Sequence, residues 1–205
     1  MTELQLDPIT LRNNRIKISL IFAIPIFVMS MSYFIYYTGI GLPTGTRNKG
    51  TLIQPVKEIN QLNLITQDGE KFQYSADPKW TLFIPSGAAC EEKCKQNLYL
   101  TRQTSVALGK DAYRLRRFYI NTAGEMPPDL GNFLTTEHPK LHILNCSLEE
   151  YQRFIGHAFD NMTPGDQPYF LVDPQGFAMM FYTDKHMGKE LMVDFKFLIA
   201  KTGVH

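Results

Sequence analysis

Residues 80–94 of the chain read WTLFIPSGAACEEKC. The apolar run Trp80–Pro85 predicts a short buried strand, and from about Cys90 the pattern becomes helical until Gly109 ends it. Two of the chain's three cysteines, Cys90 and Cys94, would then lie one turn apart on one face at the start of a helix. Two such sulfurs can hold one copper ion or, with some local bending, bond to each other.

The segments that follow alternate between strand and helix patterns. Residues 114–121 (RLRRFYIN) and Leu141–Cys146 (LHILNC) are the next two predicted strands. Between them, a short helix is expected to open in the Pro-rich loop AGEMPPDLGNF. Ser147 and Glu150 form a capping box, which predicts the start of a further helix.

The last third of the chain predicts a hairpin and a closing helix. Two apolar runs flank the turn Asp173–Gly176 in PYFLVDPQGFAMMFY, a pattern typical of antiparallel strands. Apolar residues then recur at helical spacing: Leu191, Met192, Phe195, Leu198 and Ile199. The order βαβαβαββα predicts an α/β fold, a mixed sheet with helices on both faces that is parallel where crossovers join the strands and antiparallel at the hairpin.

The N-terminal part of the chain contains a long apolar segment. Ile18–Tyr37 are twenty residues without a charge, enough for a helix to cross a hydrocarbon core of about 30 Å. We therefore predict a transmembrane helix over residues 18–38, in which Pro25 is tolerated. A cleaved signal peptide is the rival interpretation, but the run is longer than a signal h-region and is followed by a poor cleavage site.

The charges that flank this segment predict its orientation. Basic residues directly precede it, whereas the first charge beyond it is Arg47, so residues 1–17 are predicted to stay in the cytoplasm. Residues 39–59, rich in Gly, Pro and Thr, are predicted to form a tether, and residues 60–205 a globular domain in the periplasm. The chain would be a single-pass protein of the inner membrane, with its cysteine pair in an oxidising compartment.

The strand that leads to a cysteine pair at a helix start, followed by βα units and a final ββα, resembles the thioredoxin fold. The three-residue spacing in CEEKC is similar to that of the Sco family, membrane-anchored thioredoxin-like proteins that help deliver copper to cytochrome c oxidase. The segments TRNKGTLIQP and LYLTRQTSVALGK also resemble small single-span Sco-like proteins of proteobacteria, considered accessory to oxidase assembly. The resemblance covers roughly residues 45–200 and implies that Cys90 and Cys94 are metal ligands or redox thiols.

The chain departs from the Sco pattern at the third copper ligand. The family's histidine would fall near Gly165 and Asp166, whereas this chain has His157 before that region and His186 beyond the hairpin. Two thiolates suit Cu(I), which prefers soft ligands, better than Cu(II). The predicted metal is therefore Cu(I), held by the two cysteines with His186 as the candidate third ligand.

A proline near the hairpin supports thiol chemistry instead. Pro168 stands eight residues before Gly176, a spacing that resembles that of the cis-proline that faces the cysteines in thioredoxins. A cis bond after Gln167 would expose backbone to a mixed disulfide. Cys90, Cys94 and Pro168 are therefore the candidate catalytic residues. The alternative for Pro168 is that it only begins an edge-accessible strand.

Other features restrict the chemistry. A net charge of +1 offers no basic stripe for nucleic acid, and the sequence has no phosphate loop, zinc knuckle or HExxH motif. Glu91 and Glu92 would repel a thiolate on Cys90, which argues against a strongly oxidising site. Cys146 is expected to be a buried strand residue, with a resolving role as the alternative.

Three functional hypotheses remain open. The first is a membrane-anchored accessory protein for cytochrome c oxidase assembly, which holds copper or keeps a partner's copper-site cysteines reduced; its partner would be an oxidase subunit or another assembly factor. The second is a general thiol-disulfide oxidoreductase. The third is a membrane-tethered interaction module without redox activity, in which the cysteine pair forms a structural disulfide.

Overall fold

The computed structural model describes residues 8–40, 47–74, 79–87, 89–156 and 166–202, and every structural statement below concerns these residues. The chain divides into two units, Met1–Arg47 and Asn48–His205. In the first unit, helix α1 (Pro8–Thr38) is exposed along its apolar length, with Pro25 in its interior. Its segment Asn14–Thr38 reaches a mean hydropathy of 2.2 and is long and apolar enough to cross a membrane.

The second unit is built on one sheet. Its strands in the described residues are β1 (Thr51–Glu58), β2 (Ile65–Thr66), β3 (Trp80–Ser86), β4 (Leu115–Asn121), β5 (Leu141–Asn145), β6 (Tyr169–Val172) and β7 (Phe177–Tyr182). Its α-helices there are α2 (Glu92–Ala107), α3 (Pro128–Glu137), α4 (Leu148–Ile155) and α5 (Gly188–Thr202), and short 3-10 helices cover Ile59–Gln61 and Gly109–Arg114.

The sheet is mixed, in the order β1-β7-β6-β3-β4-β5-β2. β3, β4 and β5 are parallel, because the α2 and α3 crossovers return the chain to the same end of the sheet. β6 and β7 form the predicted antiparallel hairpin, whose Asp173 side chain accepts hydrogen bonds from the backbone N–H groups of Gln175 and Phe177. The mixed α/β sheet predicted from the sequence is confirmed.

Two hydrophobic cores cover the two faces of the sheet. Alternate residues of the central strand point to opposite faces, so Leu82 and Ile84 enter one core and Phe83 the other. The first core also contains apolar side chains of α2, α3 and α5, and the second contains Tyr151 and Phe154 of α4. The capping box is present as predicted: the Ser147 hydroxyl accepts a hydrogen bond from the Glu150 backbone N–H.

The sheet begins at Thr51, within the segment that the sequence analysis assigned to the tether. Thr51–Glu58 pair antiparallel with β7 and form an edge strand, with a break in register between Leu52 and Lys57. The break contains Gln54–Pro55, whose peptide bond is cis. Because this strand has few apolar residues and a proline in its middle, its own pattern resembles a linker, and its partner strand makes it part of the sheet.

A buried carboxylate fixes the first residues of the second unit. Asp194 of α5 accepts hydrogen bonds from the backbone N–H groups of Lys49 (2.8 and 2.9 Å) and Gly50 (2.8 Å) and from the Tyr182 hydroxyl (3.0 Å). Gly50 is required at this contact, because a Cβ there would lie 2.6 Å from the Tyr182 ring. The chain is therefore held against α5 directly before β1 begins.

Candidate thiol site

The cysteine pair lies at the connection between the central strand β3 and helix α2. β3 ends at Ser86, Cys90 has a positive φ of 28°, and α2 begins at Glu92 with Glu91 as its N-cap residue. A left-handed backbone does not occur inside a right-handed helix, so the helix begins after Cys90 rather than at it. Cys94 lies in the first turn of α2.

Cys90 and Cys94 form a disulfide, with their Cα atoms 5.1 Å apart. Both are buried, 2% and 1% exposed, in the core beneath α2 and α5. Cβ atoms at this spacing in a regular helix are about 5–6 Å apart, whereas a disulfide needs about 3.5–4.5 Å. The bend at Cys90 supplies the closer approach, and the prediction of a mutual disulfide is confirmed.

Pro168 lies in the segment that packs beside the first turns of α2. The side-chain amide of Asn97, three residues after Cys94, donates a hydrogen bond to the Gln167 carbonyl oxygen (2.9 Å). The expected cis bond between Gln167 and Pro168 is absent. Among the described residues, the cis peptide bond is the one between Gln54 and Pro55. The edge-strand alternative is also wrong, since β6 lies between β3 and β7.

Asn97 was not among the predicted site residues. It is buried, and its spacing from Cys94 places the two side chains on the same face of α2. A polar residue on the buried face of a helix that carries a cysteine motif is the signal that could have identified it. Its hydrogen bond joins the thiol-bearing helix to the strand entrance at Pro168.

His186 belongs to the turn between β7 and α5. Its Nδ1 accepts a hydrogen bond from the Thr183 backbone N–H (3.0 Å), which leaves the proton of the neutral ring on Nε2. The same turn reaches the first turn of α2, where Lys93 and Asp184 form an ion pair of 3.2 Å. His186 therefore lies on the side of the domain that carries the cysteines, with one ring nitrogen already engaged.

The described residues contain no group of three His, Cys, Asp or Glu side chains that could hold a metal ion. The proposed set of two cysteines and His186 is thus not assembled in this structure. Asp166, near the position of the Sco histidine, forms an ion pair with Lys185 (3.0 Å). His157 and Gly165 lie outside the described residues.

Comparison with known protein families agrees with the fold. The model of the family described as "Transmembrane-like, thioredoxin-like, C-terminal domain" matches residues 80–201, more than half of the chain. The chain belongs to this family. A search of curated proteins found no match.

Solved structures of Sco proteins have the same fold. Arabidopsis thaliana ScoI with copper bound is 17% identical, with a TM-score of 0.55 over 68% of this chain and 96% of that one. Yeast Sco1 with copper bound is 16% identical, with a TM-score of 0.55 over 77% and 96%. BsSco, described as a member of the Sco family of cytochrome c oxidase assembly proteins with a disulfide switch, is 14% identical, with a TM-score of 0.54 over 78% and 99%. The predicted Sco-like fold is confirmed.

Cys146 is separated from the thiol site by the sheet. It is a free, buried cysteine of the second core, whereas Cys90 and Cys94 belong to the first. Burial, followed by the charge of Glu150, raises the pKa of the Cys146 thiol to about 11. This position excludes direct attack on the Cys90–Cys94 disulfide in the folded domain, so the resolving role is not supported.

We predict that Cys146 reacts slowly with alkylating reagents. With its pKa raised, the fraction of thiolate at pH 8 is about a hundredfold lower than for an unperturbed cysteine, and burial slows the reaction further. Timed alkylation of the folded and the urea-unfolded chain, followed by peptide mass spectrometry, measures this ratio. Similar rates in the two states would show that Cys146 is accessible and that its strand end is wrongly assigned.

Proposed function

We propose that this chain is a membrane-anchored thiol-disulfide protein that serves the assembly of cytochrome c oxidase. The observation that carries the proposal is the disulfide between Cys90 and Cys94 at the N-terminal end of α2. A helix N-terminus after a central strand is where thioredoxin-like proteins carry their redox cysteines, and its dipole favours a thiolate. The likeness to BsSco, a cytochrome c oxidase assembly protein with a disulfide switch, supports the choice of this assembly process.

The proposed reaction is the reduction of a partner's disulfide by the dithiol form of the chain. Both cysteines are buried, but Cys90 is assigned as the attacking residue because it precedes the helix beside the exposed Gly87 and Ala89, whereas Cys94 lies within α2. The Cys90 thiolate forms a mixed disulfide with one partner sulfur and releases the other as a thiolate, which takes up a proton. Cys94 then attacks Cys90, and the partner leaves with both sulfurs reduced.

The turnover needs an external dithiol, which reduces the Cys90–Cys94 disulfide and is itself oxidised. Two electrons pass from this donor through the pair to the partner. Glu91 and Glu92, both exposed at the start of α2, repel a Cys90 thiolate and so counteract the stabilisation that the helix dipole gives it. With these two effects opposed, the Cys90 thiolate is only weakly stabilised. A weakly stabilised thiolate suits a reductant, whereas a strong oxidant has a strongly stabilised one.

Transient Cu(I) binding is the second candidate function. Arabidopsis ScoI and yeast Sco1 both have copper bound, and the reduced pair of this chain would offer two soft thiolates. His186 could add a ligand only through Nε2 as the ring now stands, since Nδ1 accepts the Thr183 N–H. The donor set therefore fits Cu(I) as a cargo ion and lacks the further N or O ligands that Cu(II) prefers.

Two assays on the reduced full-length chain in a non-ionic detergent test the two candidate functions. Exchange with a peptide that contains a two-cysteine disulfide, followed by mass spectrometry, should yield the reduced peptide and the Cys90–Cys94 disulfide in equal amounts. Competition against a Cu(I) chelator measures copper binding separately. Copper binding without exchange would favour the second candidate, and the absence of both would leave the interaction module.

We predict that the second unit faces the exported side of the membrane. Arg12, Arg15 and Lys17 lie in α1 directly before its charge-free stretch and favour a cytoplasmic N-terminus, so protease added to spheroplasts should digest the part beyond residue 40. Immunoblotting with an antibody against that part follows its loss, and a cytoplasmic protein that remains intact controls for leakage. Full protection of the domain would overturn the orientation.

A further inference from the structure

A cleft lies toward the C-terminal end of α2, on the same face of the sheet as the thiol site. It has a volume of about 410 Å³, and its lining includes Arg102, Ser105, Val106, Arg117, Pro139 and Lys140. Cys94 and Arg102 are eight residues apart on one helix, or about 12 Å. The cleft is therefore separate from the disulfide and has no part in the proposed thiol chemistry.

The most unusual member of this cleft is the buried Arg117 of β4. It is 4% exposed, and its Nη1 donates to the Leu98 carbonyl oxygen (3.3 Å) and the Thr101 hydroxyl (3.5 Å). No carboxylate of the described residues pairs with it. Burial and the nearby charge of Arg102 lower the pKa of Arg117 to about 10, so the guanidinium remains cationic at neutral pH.

Two further cations line the open side of the cleft. Lys140 is exposed and makes no hydrogen bond or ion pair with another described residue. Arg102 has a partner in Glu137, but the distance is 3.6 Å and both side chains are largely solvated, which makes the pair weak. His138, which lies beside these groups, is neutral at pH 7, because burial lowers its pKa to about 4. Among the described residues, the cleft thus has three positive charges, and the carboxylate that pairs with one of them, Glu137, is solvated.

We infer that this cleft binds a small organic oxyanion, through a carboxylate or phosphate group that contacts Arg117, Arg102 and Lys140. A guanidinium has five N–H donors in a planar fork that matches such groups, and those of Arg117 are largely unused. A bound anion would offset the burial of this cation, which is costly without a counter-charge. Val106 and Pro139 provide apolar surface for the rest of the ligand.

The test uses the full-length chain in a non-ionic detergent, with inorganic phosphate and succinate as separate probes. The chain has a single tryptophan, the buried Trp80, whose fluorescence reports thermal unfolding of the domain. At constant ionic strength, with chloride as the balancing ion, a bound anion raises the midpoint temperature in a saturable way. Saturation by phosphate alone assigns a phosphate ligand, and saturation by succinate alone a carboxylate.

Variants identify the site. Lys140→Gln and Arg102→Gln should each raise the half-saturating concentration of the probe about three- to tenfold, and Arg117→Gln should abolish saturation if the variant folds. Lys196→Gln, the same change at an exposed lysine of α5, is the matched control and should leave binding unchanged. The inference would be overturned if both probes raised the midpoint temperature only as much as chloride does. It would also be overturned if the half-saturating concentration were the same in wild type, Lys140→Gln and Arg102→Gln.

Discussion

Replacement of either Cys90 or Cys94 by serine is expected to lower the rate of disulfide exchange by about a hundredfold or more. A serine hydroxyl cannot form or resolve a mixed disulfide, so each variant stops at a different step. Cys90→Ser should give no covalent adduct with the peptide. Cys94→Ser should accumulate the mixed disulfide through Cys90, because the resolving sulfur is missing.

The adduct is measured by mass spectrometry of the intact chain under non-reducing conditions. Cys146→Ser is the matched control, since it removes the third cysteine from the opposite face of the sheet and should leave exchange unchanged. Adduct formation in Cys90→Ser rather than Cys94→Ser would reverse the assigned roles. Full activity in both variants would remove the cysteine pair from the proposed function.

Replacement of Asp194 by alanine is expected to lower the free energy of unfolding of the second unit by about 2–4 kcal/mol. The change leaves the N–H of Gly50 and the hydroxyl of Tyr182 buried without their acceptor, and it releases the N–H of Lys49. Each unsatisfied buried donor costs about 1–3 kcal/mol. The loss should therefore exceed that of an ordinary surface substitution.

Urea unfolding followed by Trp80 fluorescence measures the effect of Asp194→Ala. Tyr182→Phe removes one of the hydrogen bonds and should lower the free energy of unfolding by about 1 kcal/mol. Glu125→Ala, at an exposed loop carboxylate, should change it by less than about 0.5 kcal/mol. A loss for Asp194→Ala as small as that for Glu125→Ala would show that the chain before β1 is not held by this carboxylate.

The apolar N-terminal helix, the mixed sheet and the proximity of the two cysteines could be predicted because each rests on local patterns. A charge-free run identifies α1, alternating periods identify strands and helices, and the turn Asp173–Gly176 identifies the hairpin. The spacing of Cys90 and Cys94 limits the distance between their sulfurs whatever the rest of the fold. These features depend on neighbours within a few residues along the chain.

Long-range contacts determined the features that the sequence could not predict. Thr51–Glu58 form a strand because they pair with β7. The backbone N–H groups of Lys49 and Gly50 are bound by Asp194, more than 140 residues further along the chain. The trans bond before Pro168 likewise depends on its surroundings, because the two isomers of an X-Pro bond differ little in free energy.

The sequence by itself thus determined the apolar helix, the order of strands and helices from Trp80 onward and the proximity of the two cysteines. Only the tertiary structure decided that Cys146 faces the opposite core, that His186 has one ring nitrogen engaged, and that Arg117 lies buried with no carboxylate partner among the described residues. The physical reason is that local pattern indicates the type of an element and which of its residues share a face. The chemical surroundings of a side chain are supplied by elements far away in the sequence.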